Sequence, residues 1–220
     1  MEYICHYGNT VHVIRLKKSE NRKLGKSNTL HTYHFTKMQV ETGILSHDSE
    51  VCMDCPKSYN QNGGKSGGCY THKGLQMLGL LSILRRLKTL EIPPYTDYSF
   101  KDFIRVINRS HQIDLTRLGV YGEPVSFPGL KHLLSKPHIG YTRQWIKHPE
   151  LAGKIMASCF SSVEAAHANS LGFKAFVSVP SLPSGVAVCP ASKEFKGKKL
   201  TCDKCKACNG LNNNIYIKTH

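Results

Sequence analysis

Residues 154–179 read KIMASCFSSVEAAHANSLGFKAFVSV, and this stretch decides the fold. Lys154–Cys159 and Lys174–Val179 are short apolar runs of the kind that become buried strands. Between them Ser162–Leu171 reads as a helix, capped by Ser161 or Ser162 and ended at Gly172. A strand, a helix and a second strand in so short a span make a βα unit, and βα units build parallel sheets.

The same alternation extends outward. His72–Lys88 carries Leu75, Leu78, Leu81, Leu84 and Leu87 at helical spacing. Pro93 and Pro94 break the chain, and Phe100–Arg109 repeats the helical pattern through Phe103, Ile104 and Ile107. Leu115–Tyr121 is an expected strand ending in Gly122-Glu123-Pro124, Pro128–Ser135 a short helix, and His138–Trp145 another strand. Gly185–Val188 and Asn214–Lys218 complete the set. In the first fifty residues, Val11–Leu16 and Thr29–Phe35 look like strands split by the basic turn Lys17–Asn28. The expectation is an α/β fold, a partial (β/α) barrel or an open parallel sheet. It forms one domain over 1–220: N-terminal strands in 1–50, a βα core over 51–188 and a cysteine-rich, metal-binding tail over 189–220. Ligands in such folds sit at the C-terminal ends of the strands, where Glu123, Cys159 and Cys189 fall.

The 220 residues include 30 Lys+Arg, 15 Asp+Glu and nine cysteines, for a formal net charge of +15. The longest apolar stretch, near Leu75–Leu84, is too short to cross a membrane. Met1–Thr10 has no apolar run of a secretory signal, so the expected location is the cytoplasm. There, clustered cysteines serve as metal ligands or catalysts more often than as disulfides. A charge of +15 makes nucleic acid a candidate partner, although many basic proteins bind none specifically.

Two groups of cysteines carry chemistry. Cys202-x2-Cys205-x2-Cys208 with Cys189-Pro190 upstream matches the ferredoxin manner of holding a [4Fe–4S] cluster. A four-thiolate zinc site, or free thiols, are the alternatives. Such a centre can be functional, or it can be a staple for a loop crowded with Lys193, Lys196, Lys198, Lys199, Lys204 and Lys206. Cys52-x2-Cys55 followed by Cys69 supplies three thiols. Cys5, His31, His34, His47 or His72 can complete this group as a zinc knuckle. With no fourth protein ligand, a position stays open for catalysis. Gly64-Lys65-Ser66 is not a phosphate loop, because Tyr59 stands where the first glycine is needed. Glu123 reads either as part of a turn or as a carboxylate placed for an amine or for acid–base work. Arg143 can pair with a carboxylate or phosphate. Trp145 reads as core and Cys159 as a small buried hydrophobe.

With these motifs, the chain resembles a group of small phage-encoded, cysteine-rich proteins of largely unknown function. The likeness spans roughly 50–210 and rests on Cys55-Pro56, Gly68-Cys69-Tyr70, Gly119–Pro124, Gly140–Trp145 and the tail. The order of parts is also similar to radical S-adenosylmethionine (SAM) enzymes. That resemblance implies Cys52, Cys55 and Cys69 as ligands of a [4Fe–4S] cluster and Glu123 near the SAM amine; with Arg143 from the residue reading, Glu123 is a catalytic candidate. The resemblance also implies host-cytoplasmic iron–sulfur chemistry on an unidentified small-molecule or macromolecular substrate. The chain departs from the superfamily's C-x3-C-x2-C spacing, and Tyr121 replaces the first glycine of its Gly-Gly-Glu strand end. The rival expectations are a zinc-stapled, basic nucleic-acid-binding protein and an electron carrier or redox sensor.

Overall fold

A computed structural model describes residues 1–18, 23–65 and 67–219. In chain order the elements are β1 (Glu2–Tyr7), β2 (Thr10–Lys18), β3 (Asn28–Thr36), α1 (Lys37–Thr42), α2 (Ser49–Cys52), α3 (Gly74–Leu87), α4 (Asp97–Ser110), β4 (Leu115–Tyr121), α5 (Leu130–Leu134), β5 (His138–Ile139), β6 (Tyr141–Thr142), β7 (Met156–Cys159), α6 (Ser162–Ser170), β8 (Ala175–Val179), α7 (Cys202–Cys205) and β9 (Ile215–Lys218). Part of the expected turn Lys17–Asn28, and Ser66 of Gly64-Lys65-Ser66, lie outside the described residues.

One sheet has the order β1-β2-β3-β4-β5 and the other β6-β7-β8-β9. The first two pairings are antiparallel; β3 with β4, β4 with β5, and every pairing of the second sheet are parallel. Only Gly140 separates β5 from β6. A Cβ there would sit 2.6 Å from Leu118 Cβ, so the close approach of β4 demands glycine. The Gly140 amide donates to Cys208 O (3.1 Å) and its carbonyl accepts from Met156 N (3.2 Å). The backbone is thus satisfied where one sheet hands over to the next. Among the described residues β1 and β9 do not pair, and no closed barrel forms.

Both faces of the first sheet are covered, which is why Thr10–Ile14 is buried throughout. On one face Val11, Val13, Phe35 and Tyr121 pack against Leu80, Ile83, Leu84 and Leu87 of α3. On the other, Ile14, Leu30 and Leu118 meet Phe100, Ile104 and Ile107 of α4. This second core continues through Ala157, Cys159, Ala175 and Val177 to Ala165 and Ala168 of α6, so one apolar cluster spans both sheets. The small alanines let α6 lie close to β7 and β8. Its cap is the expected one: Ser161 Oγ accepts from Glu164 N at 3.1 Å.

Several expectations need correction. Leu75 and Leu78 are 86% and 58% exposed, and the buried stripe of α3 is 80, 83, 84 and 87. A strict three-residue repeat drifts by about 60° per step, so the long leucine row could not stay on one face. His138–Trp145 is strand only at 138–139 and 141–142. Gly185–Val188 is not a strand; Val188 makes a single bridge to Tyr216. β1 went unforeseen. No helix among the described residues is long and apolar enough to cross a membrane.

Candidate functional site

Glu123 follows β4 directly. Gly122, at φ +76°, turns the chain there. The Glu123 amide donates to Val51 O (2.6 Å), which ties the strand end to the turn carrying Cys52. Its carboxylate is buried, 7% exposed. Oε2 accepts from Thr142 Oγ1 (2.7 Å) and Oε1 from the Arg143 amide (3.0 Å). Burial raises its pKa to about 7, against the opposing pull of those two donors and of the Arg143 guanidinium.

The loop thiols stand beside it. Burial pushes the Cys52 thiol well up, helped by Asp48, Cys55, Cys69 and Glu123. Cys55 rises to about 11, again first through burial, with Glu123 and Cys69 adding. Cys69 Sγ lies 3.0 Å from Thr71 Oγ1. The three loop cysteines and Glu123 therefore share one neighbourhood at the end of β4. Arg143 is anchored otherwise: its guanidinium is bidentate to Glu164 (2.8 and 3.1 Å), bonds Ser158 O and covers the Phe160 ring at 4.8 Å. That makes it a brace between β6, β7 and α6, with its backbone amide serving Glu123.

Among the proposed fourth donors, Cys5 is in the core with Ile14 and Phe100. His34 bonds His12 (Nδ1 to Nδ1, 2.9 Å). His47 is exposed. His72 sits one turn past Cys69, buried against Tyr59 at 4.4 Å between ring centroids, and neither ring nitrogen has a hydrogen-bond partner. The donor set around the loop thus fits a thiophilic metal, with an orphaned imidazole at hand.

The tail is held from several sides. The Cys189 amide donates to Tyr216 O of β9 (2.9 Å), Cys202 N to Lys23 O (2.7 Å), and Cys208 O accepts from Gly140 N. Cys202 and Cys205, three apart on the single turn α7, share a face. Cys202 rises to about 11 and Cys208 to about 12, first through burial, with Cys189 and Cys205 adding to both and Arg117 pulling Cys202 down. Cys202 and Cys208 pack on Leu24, Leu115 and Ile139, near the starts of β4 and β5. Tail and loop therefore lie toward opposite ends of β4.

All nine cysteines are unbonded to one another. Among the described residues, no group of three or more His, Cys, Asp or Glu side chains is already assembled to hold a metal ion. Each set of thiols is close enough to repel as thiolates without converging on one point. Met53 (φ 47°) and Lys206 (φ 49°) are the described non-glycine residues with positive φ. Each directly follows a motif cysteine. No family model, curated protein or solved structure matches the chain.

Proposed function

We propose that this is an iron–sulfur protein. In this reading Cys189, Cys202, Cys205 and Cys208 hold a [4Fe–4S] cluster, and Cys52, Cys55 and Cys69 hold a second at the strand C-termini of a partial (β/α) barrel. One observation carries it: the unfavourable backbone at Met53 and Lys206 falls beside Cys52 and Cys205, inside two groups of half-buried cysteines gathered at opposite ends of β4. Such strain persists only where the surroundings over-determine it, and it gathers at functional sites. A bound cation would stabilise the thiolate forms and offset their mutual repulsion, displacing the thiol protons as it binds.

The position of Glu123 supports a radical-SAM-like enzyme over a mere electron carrier. Each of its oxygens accepts one hydrogen bond, and a carboxylate has lone pairs left to accept from an amine. SAM bound at an open iron would supply one-electron bond cleavage. Glu123 would hold its amine, while Thr142 and the Arg143 amide fix the carboxylate's orientation. Glu123→Gln should abolish SAM binding with iron and sulfide unchanged, read by equilibrium dialysis; undiminished binding sinks the enzyme assignment.

The first test of the cluster assignment is metal and sulfide analysis of anaerobically purified protein with Cys202→Ala and Cys52→Ala. About eight iron and eight sulfide, halved in each variant, is the expected result. Zinc without sulfide overturns it and favours the zinc-stapled nucleic-acid-binding protein, whose binding would weaken steeply with salt.

A further inference from the structure

The strand register places Arg15, His31, Arg117 and Ile139 in one row across β2, β3, β4 and β5. Neighbours in such a row share a face of the sheet. Two arginines thus flank one histidine, and no acid stands between them. Lys17 adds to the field: burial first, then Arg117, Lys17 and Arg15 lower the His31 pKa to about 3. At the β1 end the row continues to Glu2, which pairs with Arg15 in the register, is bidentate to Arg86 and lies 3.9 Å from Arg15. Burial opposes the charge of Arg117, and the groups that most support it are Tyr70, Tyr141, Cys202 and Tyr33, none of them a carboxylate.

His31 is 7% exposed. Its Nδ1 is 3.3 Å from the Tyr33 hydroxyl, and its Nε2 is buried with no partner. With Tyr33 donating to Nδ1, the ring proton resides on Nε2 as an unused donor. A guanidinium without a carboxylate and an imidazole N–H without an acceptor therefore meet on one face. A guanidinium with no carboxylate partner beside an imidazole N–H with no acceptor is a pair that an anion would satisfy.

We propose that Arg117 and the His31 Nε2–H form a binding site for a small oxyanion, a phosphate or carboxylate group of a ligand. Tyr33 fixes the imidazole tautomer, and Arg15 and Lys17 add the attractive field. The site lies on β3 and β4 between the ends that carry the two cysteine groups.

The test is calorimetric titration of the full chain with inorganic phosphate and, separately, acetate in chloride buffer. Binding of one probe with a Kd of about 1 mM or tighter is expected. Phosphate-selective or acetate-selective binding identifies the oxyanion. Arg117→Gln and His31→Phe should each weaken it at least about tenfold. Arg109→Gln, on the exposed end of α4, should leave it unchanged. Should Arg117→Gln fail to fold by circular dichroism, His31→Phe, which keeps a buried ring and removes the donor, decides. No binding of either probe at about 10 mM, or equal affinity in wild type and His31→Phe, overturns the proposal.

Discussion

Gly122→Ala should destabilise the protein by about 3 kcal/mol, with the loss centred on the loop cysteines. Two costs add. A non-glycine residue at φ +76° costs about 1–2 kcal/mol. The new Cβ would also stand 2.9 Å from both His34 O and His34 Cβ and 3.3 Å from Val51 Cβ. Backbone oxygen cannot swing aside as a side-chain tip can, so the strand end must shift, at about 1–3 kcal/mol. Gly153→Ala is the matched control. Its φ is +71°, and a Cβ there meets nothing within 4 Å. It should cost only the backbone part, about 1 kcal/mol. Urea midpoints of the two variants give the comparison. Equal losses would mean that β3 and the Val51 turn do not press on Gly122. Because Glu123 N bonds Val51 O, the shift at Gly122 should also lower the metal content of the loop while leaving the tail's intact.

The Glu123 carboxyl should withdraw about 3 kcal/mol of stability from the metal-free protein as pH rises from below 4.5 to above 7, a share that Glu123→Gln lacks. Glu123 titrates near 4.5 when unfolded and near 7 when folded. Between those values the native state keeps a proton that the unfolded chain has released, so stability falls with rising pH and levels off above about 7. At 1.4 kcal/mol per tenfold change in proton affinity, the gap is worth about 3 kcal/mol. Gln keeps an oxygen for the Arg143 amide, and the Thr142 hydroxyl can rotate to accept from its NH2. Buried His12 and His31, each lowered to about 3 by burial, push stability the opposite way in acid. The difference between wild type and variant, followed by urea denaturation from pH 4 to 8, cancels them. A flat difference would refute a buried, protonatable Glu123.

The parallel half of the molecule was readable because its strands are short apolar runs with capped helices between them. β4, α4, α6, β7 and β8 all fall within a few residues of where the pattern puts them. β1 escaped because its six residues mix Glu2 and His6 with apolar ones, and pairing with β2 rather than composition makes it a strand. The exposed Leu75 and Leu78 show that leucine alone does not set a face; the position of β2 and β3 does. At the site, cysteine spacing is local and legible. The company of Glu123 is not, since Thr142 and Arg143 come from β6 and its following turn. The Arg15–His31–Arg117 row is wholly a product of register and has no trace along the chain.

A sheet that does not close has two edges, and an open edge recruits other chains. Of the edges of the two sheets here, those at β1 and β9 are partly covered. His6 exchanges hydrogen bonds with Pro93 and Tyr95 along β1, and Tyr216 exchanges them with Ala187 and Cys189 along β9. The second cover is the segment that delivers Cys189 to the tail. Whatever loosens that cysteine therefore bares the last strand. Damage to the tail should first be seen as self-association that grows with concentration, before any loss of secondary structure.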